Sequence, residues 1–519
     1  MTDPRIPFGN RKSHPLRKSL RGASLSEYGL LAGLVAVVSI STVAGLGDRI
    51  SDSYASVGAA LSSSGGSPAP VDEPAQPEAP DPLADYSATE SPSSGTSDTF
   101  FYAYLSEPSR TMDNRNSSSS IQDTLVLEAA MPDDVQLNNP NIFDMTMTFP
   151  DNEVLTIDDQ NHGLNRDGFG TVVFADGSSL DRRGLRDRSV ADQMDAGGTV
   201  RGSDISEDYL YDVARHGNVH VRNHNYSSNT QDALTIRGDG VDDADFILTN
   251  AFDMRITFSD GETMMVEDIH HGNDKNGFGS ILFEGGPTLS RRDIRDKAAA
   301  DGIDAGSAIG SDILETWAYS EANDPSAEIR NNNWSSNVHD ILTLTDVQPA
   351  DVSFININAF NMEIRFSDGE VLTIHDQQHG TYEYGFHEIV FSSGERMDRG
   401  AVRDRAVADA MKTSLVIGSD MPESYFYRVA EHGTLTVRNF NHSSSVQDRL
   451  TIEDALASQV QFIDDGSGTL TIQFADGDAM TVERQFYADN KKGFGSITFQ
   501  DGAVLDRAGI SSKAAADTP

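Results

Sequence analysis

The residues best suited to chemistry recur at a fixed spacing. Asp123, Asp232, Asp340 and Asp448 lie 109, 108 and 108 residues apart, and each follows an Asn-x-Asn pair: Asn114/Asn116, Asn223/Asn225, Asn331/Asn333 and Asn439/Asn441. Carboxylate and amide oxygens at such spacing are hard ligands suited to calcium. Asparagine, aspartate and serine are also the residues of tight turns, through side-chain bonds to the backbone, and turns are the favoured reading. His162, His271 and His379 occupy matching places before glycine, with Tyr487 in the fourth copy. Asp159, Asp268 and Asp376 match likewise, with Arg484 in the fourth. A catalytic or metal-bound histidine needs partners fixed by geometry, so replacement by tyrosine argues for packing or turn roles. No nucleophile motif, phosphate loop or paired-carboxylate signature appears. Four imperfect copies suit a binding or spacing array better than an enzyme, and a non-enzymatic protein is expected.

A second constellation lies near the start. Glu27 is followed by an uncharged run from Tyr28 to Gly47. Twenty residues of helix rise about 30 Å, the thickness of a bilayer core. Ahead of it, Arg5, Arg11, Lys12, Arg17, Lys18 and Arg21 stand against Asp3. A basic flank stays on the cytoplasmic side, so the chain beyond Gly47 is expected outside. A carboxylate at the edge of a membrane core is costly unless paired.

Composition narrows the partners. The 519-residue chain carries a formal charge of −42 and no cysteine. Repulsion excludes general affinity for nucleic acid or anionic lipid. Disulfides and thiol chemistry are absent, so the exported part is held by its cores or by bound ions.

The elements that must position these residues follow in order. Ile50, Tyr54, Val57 and Leu61 continue one helical face. Residues 62–97 are acidic, proline- and serine-rich and poor in apolar groups, a disordered tether spanning roughly 35 Å as a flexible coil. From about Asp98 the chain repeats. Gly168-Phe169-Gly170, Gly277-Phe278-Gly279, Gly385-Phe386-His387 and Gly493-Phe494-Gly495 share the same offsets, which predicts tandem domains. In the second copy, Met254-Arg255-Ile256-Thr257-Phe258, Ser259-Asp260-Gly261 and Met265-Val266 read as a hairpin. Each copy closes on a short helix such as 399–409 and restarts at Gly-Ser-Asp, at Gly202, Gly310 and Gly418.

The expected class is mainly β. An N-terminal transmembrane helix and a disordered linker precede four tandem β-rich modules of about 108 residues, joined like beads by short helices. The boundaries fall at 1–22 (basic leader), 23–61 (helix), 62–97 (linker), 98–202, 203–310, 311–418 and 419–519.

Two resemblances rest on these residues. Gly22-Ala23-Ser24-Leu25-Ser26-Glu27-Tyr28-Gly29-Leu30, with its basic leader and apolar run, resembles the N-terminus of type IVb pilins of the Flp/Tad class. The resemblance implies cleavage by a prepilin peptidase between Gly22 and Ala23. It implies that Glu27, beside Tyr28, meets the new amine of a neighbouring subunit during assembly. The precursor would sit in the inner membrane, and the processed chain would join other pilin subunits and the assembly machinery in a surface filament. The chain from Ala23 onward is far larger than ordinary members, which favours a minor or tip position over the main shaft. The modules would then project outward to a surface or cell ligand, as an adhesin. In the bacterial setting this implies, the Asn-x-Ser sequons at Asn116, Asn225, Asn333 and Asn441 are turn residues rather than glycosylation sites.

The repeats, best seen at 209–283 and 425–499, are similar to the haemolysin-type calcium-binding related domain that accompanies repeats-in-toxin proteins. The Gly-Gly-x-Gly-x-Asp series of the calcium nonapeptide is missing, and Ala214-Arg215-His216-Gly217-Asn218-Val219 stands where that family often has Gly-Asp-Gly-x-Asp. Calcium remains a candidate ligand through Asp123, Asp232, Asp340 and Asp448. The alternative to a pilin is a membrane-anchored or exported calcium-responsive β-repeat surface protein.

Overall fold

A computed structural model describes residues 97–518, apart from 104, 106–108, 116–118, 121, 164–166, 225–230, 271–274, 312, 333–337, 381–383 and 441–446. The leader, the apolar helix of 23–61 and the linker up to residue 96 lie outside the described residues, as do the sequon asparagines and His271. Among the described residues no helix is long and apolar enough to cross a membrane.

Local sequence explains the strands. Asp232–Arg237 alternates inward Asp232, Leu234 and Ile236 with half-buried Ala233 and Thr235, the two-residue period of a sheet with one face covered. The expected hairpin forms between Met254–Thr257 and Thr263–Val266, antiparallel through the Asp-Gly turn. Leu470–Gln473 and Ala479–Val482 make the same hairpin in the fourth repeat.

The rest of each repeat pairs differently from a set of hairpins. In the second, Gly198–Arg201, Val219–Arg222 and Thr263–Val266 run parallel in one sheet. Asp208–Asp212, Asp232–Arg237 and Phe278–Phe283 run parallel in another. Successive parallel strands alternate between the two sheets, so the chain winds as a short two-sheet roll whose last turn carries the hairpin on its edge. Each repeat of about 108 residues is itself a few coils of parallel roll. Gly198–Arg201 precedes the Gly-Ser-Asp restart but pairs within the second repeat, which therefore begins a few residues before 203.

One core fills each roll. In the second it includes Tyr209, Tyr211, Leu234, Ile236, Phe246, Ile256 and Phe278. The aromatic at the inner end is edge-on to the phenylalanine of the Gly-Phe triplet in all four: Phe100 to Phe169, Tyr209 to Phe278, Trp317 to Phe386 and Tyr425 to Phe494, with ring centroids 5.4, 5.1, 5.5 and 4.9 Å apart.

The helices are not string between beads. Arg291–Asp304 sends Ile294 and Ala298 into the core of the second repeat and Ala299 and Ile303 into that of the third. These i,i+4 pairs are offset by five residues and face directions about 140° apart. Arg182–Ala196 divides Leu185 from Val190 and Met194 between the first two cores. Arg399–Ala410 divides Val402 and Ala406 from Val407 and Ala410 between the last two.

Side-chain bonds repeat the arrangement. Asp192, Asp301 and Asp409 accept from the backbone N–H of Leu137, Phe246 and Phe354, on the edge strand behind the helix. Five residues earlier, Asp187, Asp296 and Asp404 accept from the N–H of Asp208, Thr316 and Ser424, on an edge strand of the repeat ahead.

Candidate functional site

The four aspartates read as candidate calcium ligands are buried in the rolls. Asp123, Asp232, Asp340 and Asp448 accept from the backbone N–H of Asp98, Glu207, Glu315 and Glu423 at 2.7 to 2.9 Å. The first asparagine of each Asn-x-Asn pair is buried beside them. Asn114, Asn223, Asn331 and Asn439 donate to the carbonyls of Gly168, Gly277, Gly385 and Gly493 at 2.9 to 3.1 Å. Asn223 and Asn439 also donate to Asp232 and Asp448, both at 2.6 Å. These residues fasten one coil of the roll to the next, a role neither of surface turns nor of an open ion loop. Among the described residues no group of three or more His, Asp or Glu side chains is placed to hold a metal.

Sequence reasoning missed the partner carboxyl. Glu207, Glu315 and Glu423 are buried, each accepting from the N–H of Ser203, Ser311 or Ser419 at 2.6 to 2.9 Å. Burial pushes the Glu315 carboxyl up to about 8, with neighbouring Asp340 adding to it, and burial raises Asp340 itself to about 6. Glu423 rises to about 7, mainly through burial. Glu207 lies well above its ordinary value through burial and Asp232. The helix arginines Arg186, Arg295 and Arg403 offset part of this in each case. The exact recurrence of Glu and Ser was available in the sequence as a signal.

A series of arginines was also missed. Arg182, Arg291, Arg399 and Arg507 open the four helices. Their guanidinium groups reach back to loop carbonyls: Arg182 to Gln160, Arg291 to Ile269 and Asn276, Arg399 to Gln377 and Tyr384, Arg507 to Gln485 and Lys492. The loop thus held carries the left-handed residue Asp159, Asp268, Asp376 or Arg484, with φ of 54, 52, 53 and 59°. It closes on the glycine before phenylalanine. Gly277 has φ +66°, and a Cβ there would lie 2.6 Å from the Ile269 backbone, so only glycine fits.

Two histidines of this loop, His162 and His379, pack, as expected. The His162 ring lies 5.6 Å from Phe143, and His379 lies 5.5 Å from Phe360. In the fourth repeat both partners change: Gly468 takes the phenylalanine's place and Tyr487 the histidine's, and a Cβ on Gly468 would sit 3.0 Å from the tyrosine ring. His387, which breaks the Gly-Phe-Gly pattern, stacks on His339 at 3.9 Å, whereas Gly170, Gly279 and Gly495 lie against Gln122, Gln231 and Gln447.

The same loops border an open groove in the third and fourth repeats. In the third, Arg330, Asn332, Asn358, Phe360, His375 and Asp376 line about 400 Å³. In the fourth, Arg438, Asn439, Phe440, Glu483, Arg484 and Lys492 line about 320 Å³. Such volumes suit small ligands. The residues that sequence reasoning assigned to processing and assembly, Gly22, Ala23, Glu27 and Tyr28, lie outside the described residues.

No family model and no curated protein matches the chain. Among solved structures, it is similar to an extracellular lipase, LipA, from Serratia marcescens, at 8% identity and a TM-score of 0.15. That alignment covers 57% of this chain and about 40% of the lipase's length.

Proposed function

We propose that this chain is a type IVb, Flp/Tad-like pilin, in a minor or tip position, whose four β repeats form an extracellular, non-enzymatic adhesive region. The observation that carries this reading is the order of residues from Arg5 to Gly47: basic leader, glycine, Glu27-Tyr28 at the spacing of that class, then an uncharged run of membrane length. Helices shared between adjacent cores support it, because a stiffened array projects a binding surface further than loosely strung domains. The charge of −42 suits a surface bathed in water and salt.

Mass analysis of the processed chain is the direct test. The N-terminus should begin at Ala23, and Glu27→Ala should still insert in the membrane yet lose incorporation into filaments. A surface form that keeps its leader overturns the pilin reading, and unchanged incorporation of the variant removes the role of Glu27.

A further inference from the structure

The groove of the fourth repeat departs in charge from its counterparts. Arg484 stands where the other repeats have Asp159, Asp268 and Asp376, and Lys492 stands where they have Asp167, Asn276 and Tyr384. A chain with 81 acidic and 39 basic residues has here put a base in place of an acid at 484, and a second base at 492 where the sister repeats have an acid, an amide and a phenol. The left-handed backbone at Arg484 suits aspartate or asparagine better, so the arginine is held there against local preference.

These cations are placed rather than neutralised. Arg438 is tied to Glu483 by two bonds of 2.8 Å. Neither Arg484 nor Lys492 makes an ion pair with a carboxylate among the described residues. Lys492 lies over the Phe440 ring at 3.9 Å, and Arg484 over Tyr487 at 5.5 Å. Burial and the nearby Arg484 lower the Lys492 ammonium below its ordinary value, with Asp489 partly offsetting them. Arg507 fixes the backbone beneath both by donating to the carbonyls of Gln485 and Lys492.

We propose that this groove binds a carboxylate-bearing sugar. Arg484 and Lys492 take the carboxylate, and the Glu483 carboxylate, held facing the groove by Arg438, accepts sugar hydroxyls. Glu483 also repels a second negative charge, which favours a single carboxylate with hydroxyls over a phosphate dianion. The groove's 320 Å³ has room for one sugar unit. The acidic remainder of the chain is screened beyond about 8 Å at physiological salt, so a short or terminal sugar is accepted where a long polyanion is repelled. The inference gives the adhesive reading a ligand class but is tested separately, since binding is measured on the purified chain irrespective of filament assembly.

The test is titration calorimetry of the full chain in detergent with trigalacturonate, its neutral methyl ester and inorganic phosphate. Trigalacturonate should bind, weaken as salt rises, and bind at least ten-fold more weakly to the Arg484→Asp/Lys492→Asn variant. Those substitutions restore residues of the sister repeats, so folding is expected to persist, as unchanged circular dichroism would verify. Equal binding of the methyl ester, undiminished binding by the Arg484/Lys492 variant, or no binding of trigalacturonate overturns the proposal. Phosphate that binds as well as trigalacturonate overturns the sugar assignment and leaves a general anion site.

Discussion

The helix Arg291–Asp304 and the helix Arg507–Asp517 begin alike and end in different duties. Both open on a buried or half-buried arginine that holds the preceding loop, and both dock a carboxylate, Asp301 or Asp517, on the edge strand behind. The first is apolar on two sides and feeds two cores, while the second gives Ile510 and Ala514 to the fourth core alone. Where the first has Arg295 and Asp296 turned toward the next repeat, the second has Ser511 and Ser512. A few positions on one helix therefore decide whether neighbouring repeats behave as one body or as separate ones.

The largest effect expected from breaking this difference is in the two-sided core. Ile303→Ala should cost about 3 kcal/mol, the usual range for a fully buried aliphatic, and hydrogen exchange should quicken both in the third repeat and in the strand Asp245–Leu248 of the second, against which the same helix packs. Ile510→Ala should cost a similar amount, with faster exchange confined to the fourth repeat. Spread of the Ile510→Ala effect into the third repeat would remove the contrast.

A smaller effect is expected from pH. Glu315, raised to about 8, and Asp340, raised to about 6, are more easily protonated folded than unfolded. Their contribution is fully present below the unfolded values near pH 4 and is lost as pH rises through the folded ones. The melting temperature should therefore fall as pH rises from 5 to 9. Glu315→Gln should flatten that slope.

The smallest effect sharpens the comparison most. Asp296→Ala removes one bond to the Thr316 N–H and should cost about 1 kcal/mol, measurable by denaturant unfolding. Ser512→Ala at the matching place should be silent.

Much of this was legible in the sequence where the cause is local. Asp-Gly between alternating strands gave the hairpins at 254–266 and 470–482, and the period gave four units. Parallel pairing of Asp208–Asp212 with Asp232–Arg237 was not, because strands joined by a long excursion carry no turn signature of their register. Asn223 and Asp232 have the composition of an ion loop or a turn, and only burial reveals them as a clasp between coils. Arg291 reads as a solvated helix residue until its carbonyl partners are known, although its recurrence at the module period was a usable sign. The charge reversal at Arg484 was visible as a mismatch among copies; its meaning needed Lys492, eight positions on, to be brought to the same groove.

The handles Asp187 and Asp192, Asp296 and Asp301, Asp404 and Asp409 stand at the same places on three successive helices. Excising or duplicating a stretch of one period, cut anywhere within the array, would leave every surviving junction with a matching pair. Slippage between copies of the coding sequence would thus lengthen or shorten the array in whole units while each product still folded. The distance at which the fourth-repeat groove is presented would become a quantity that inheritance can adjust stepwise, without inventing a new contact.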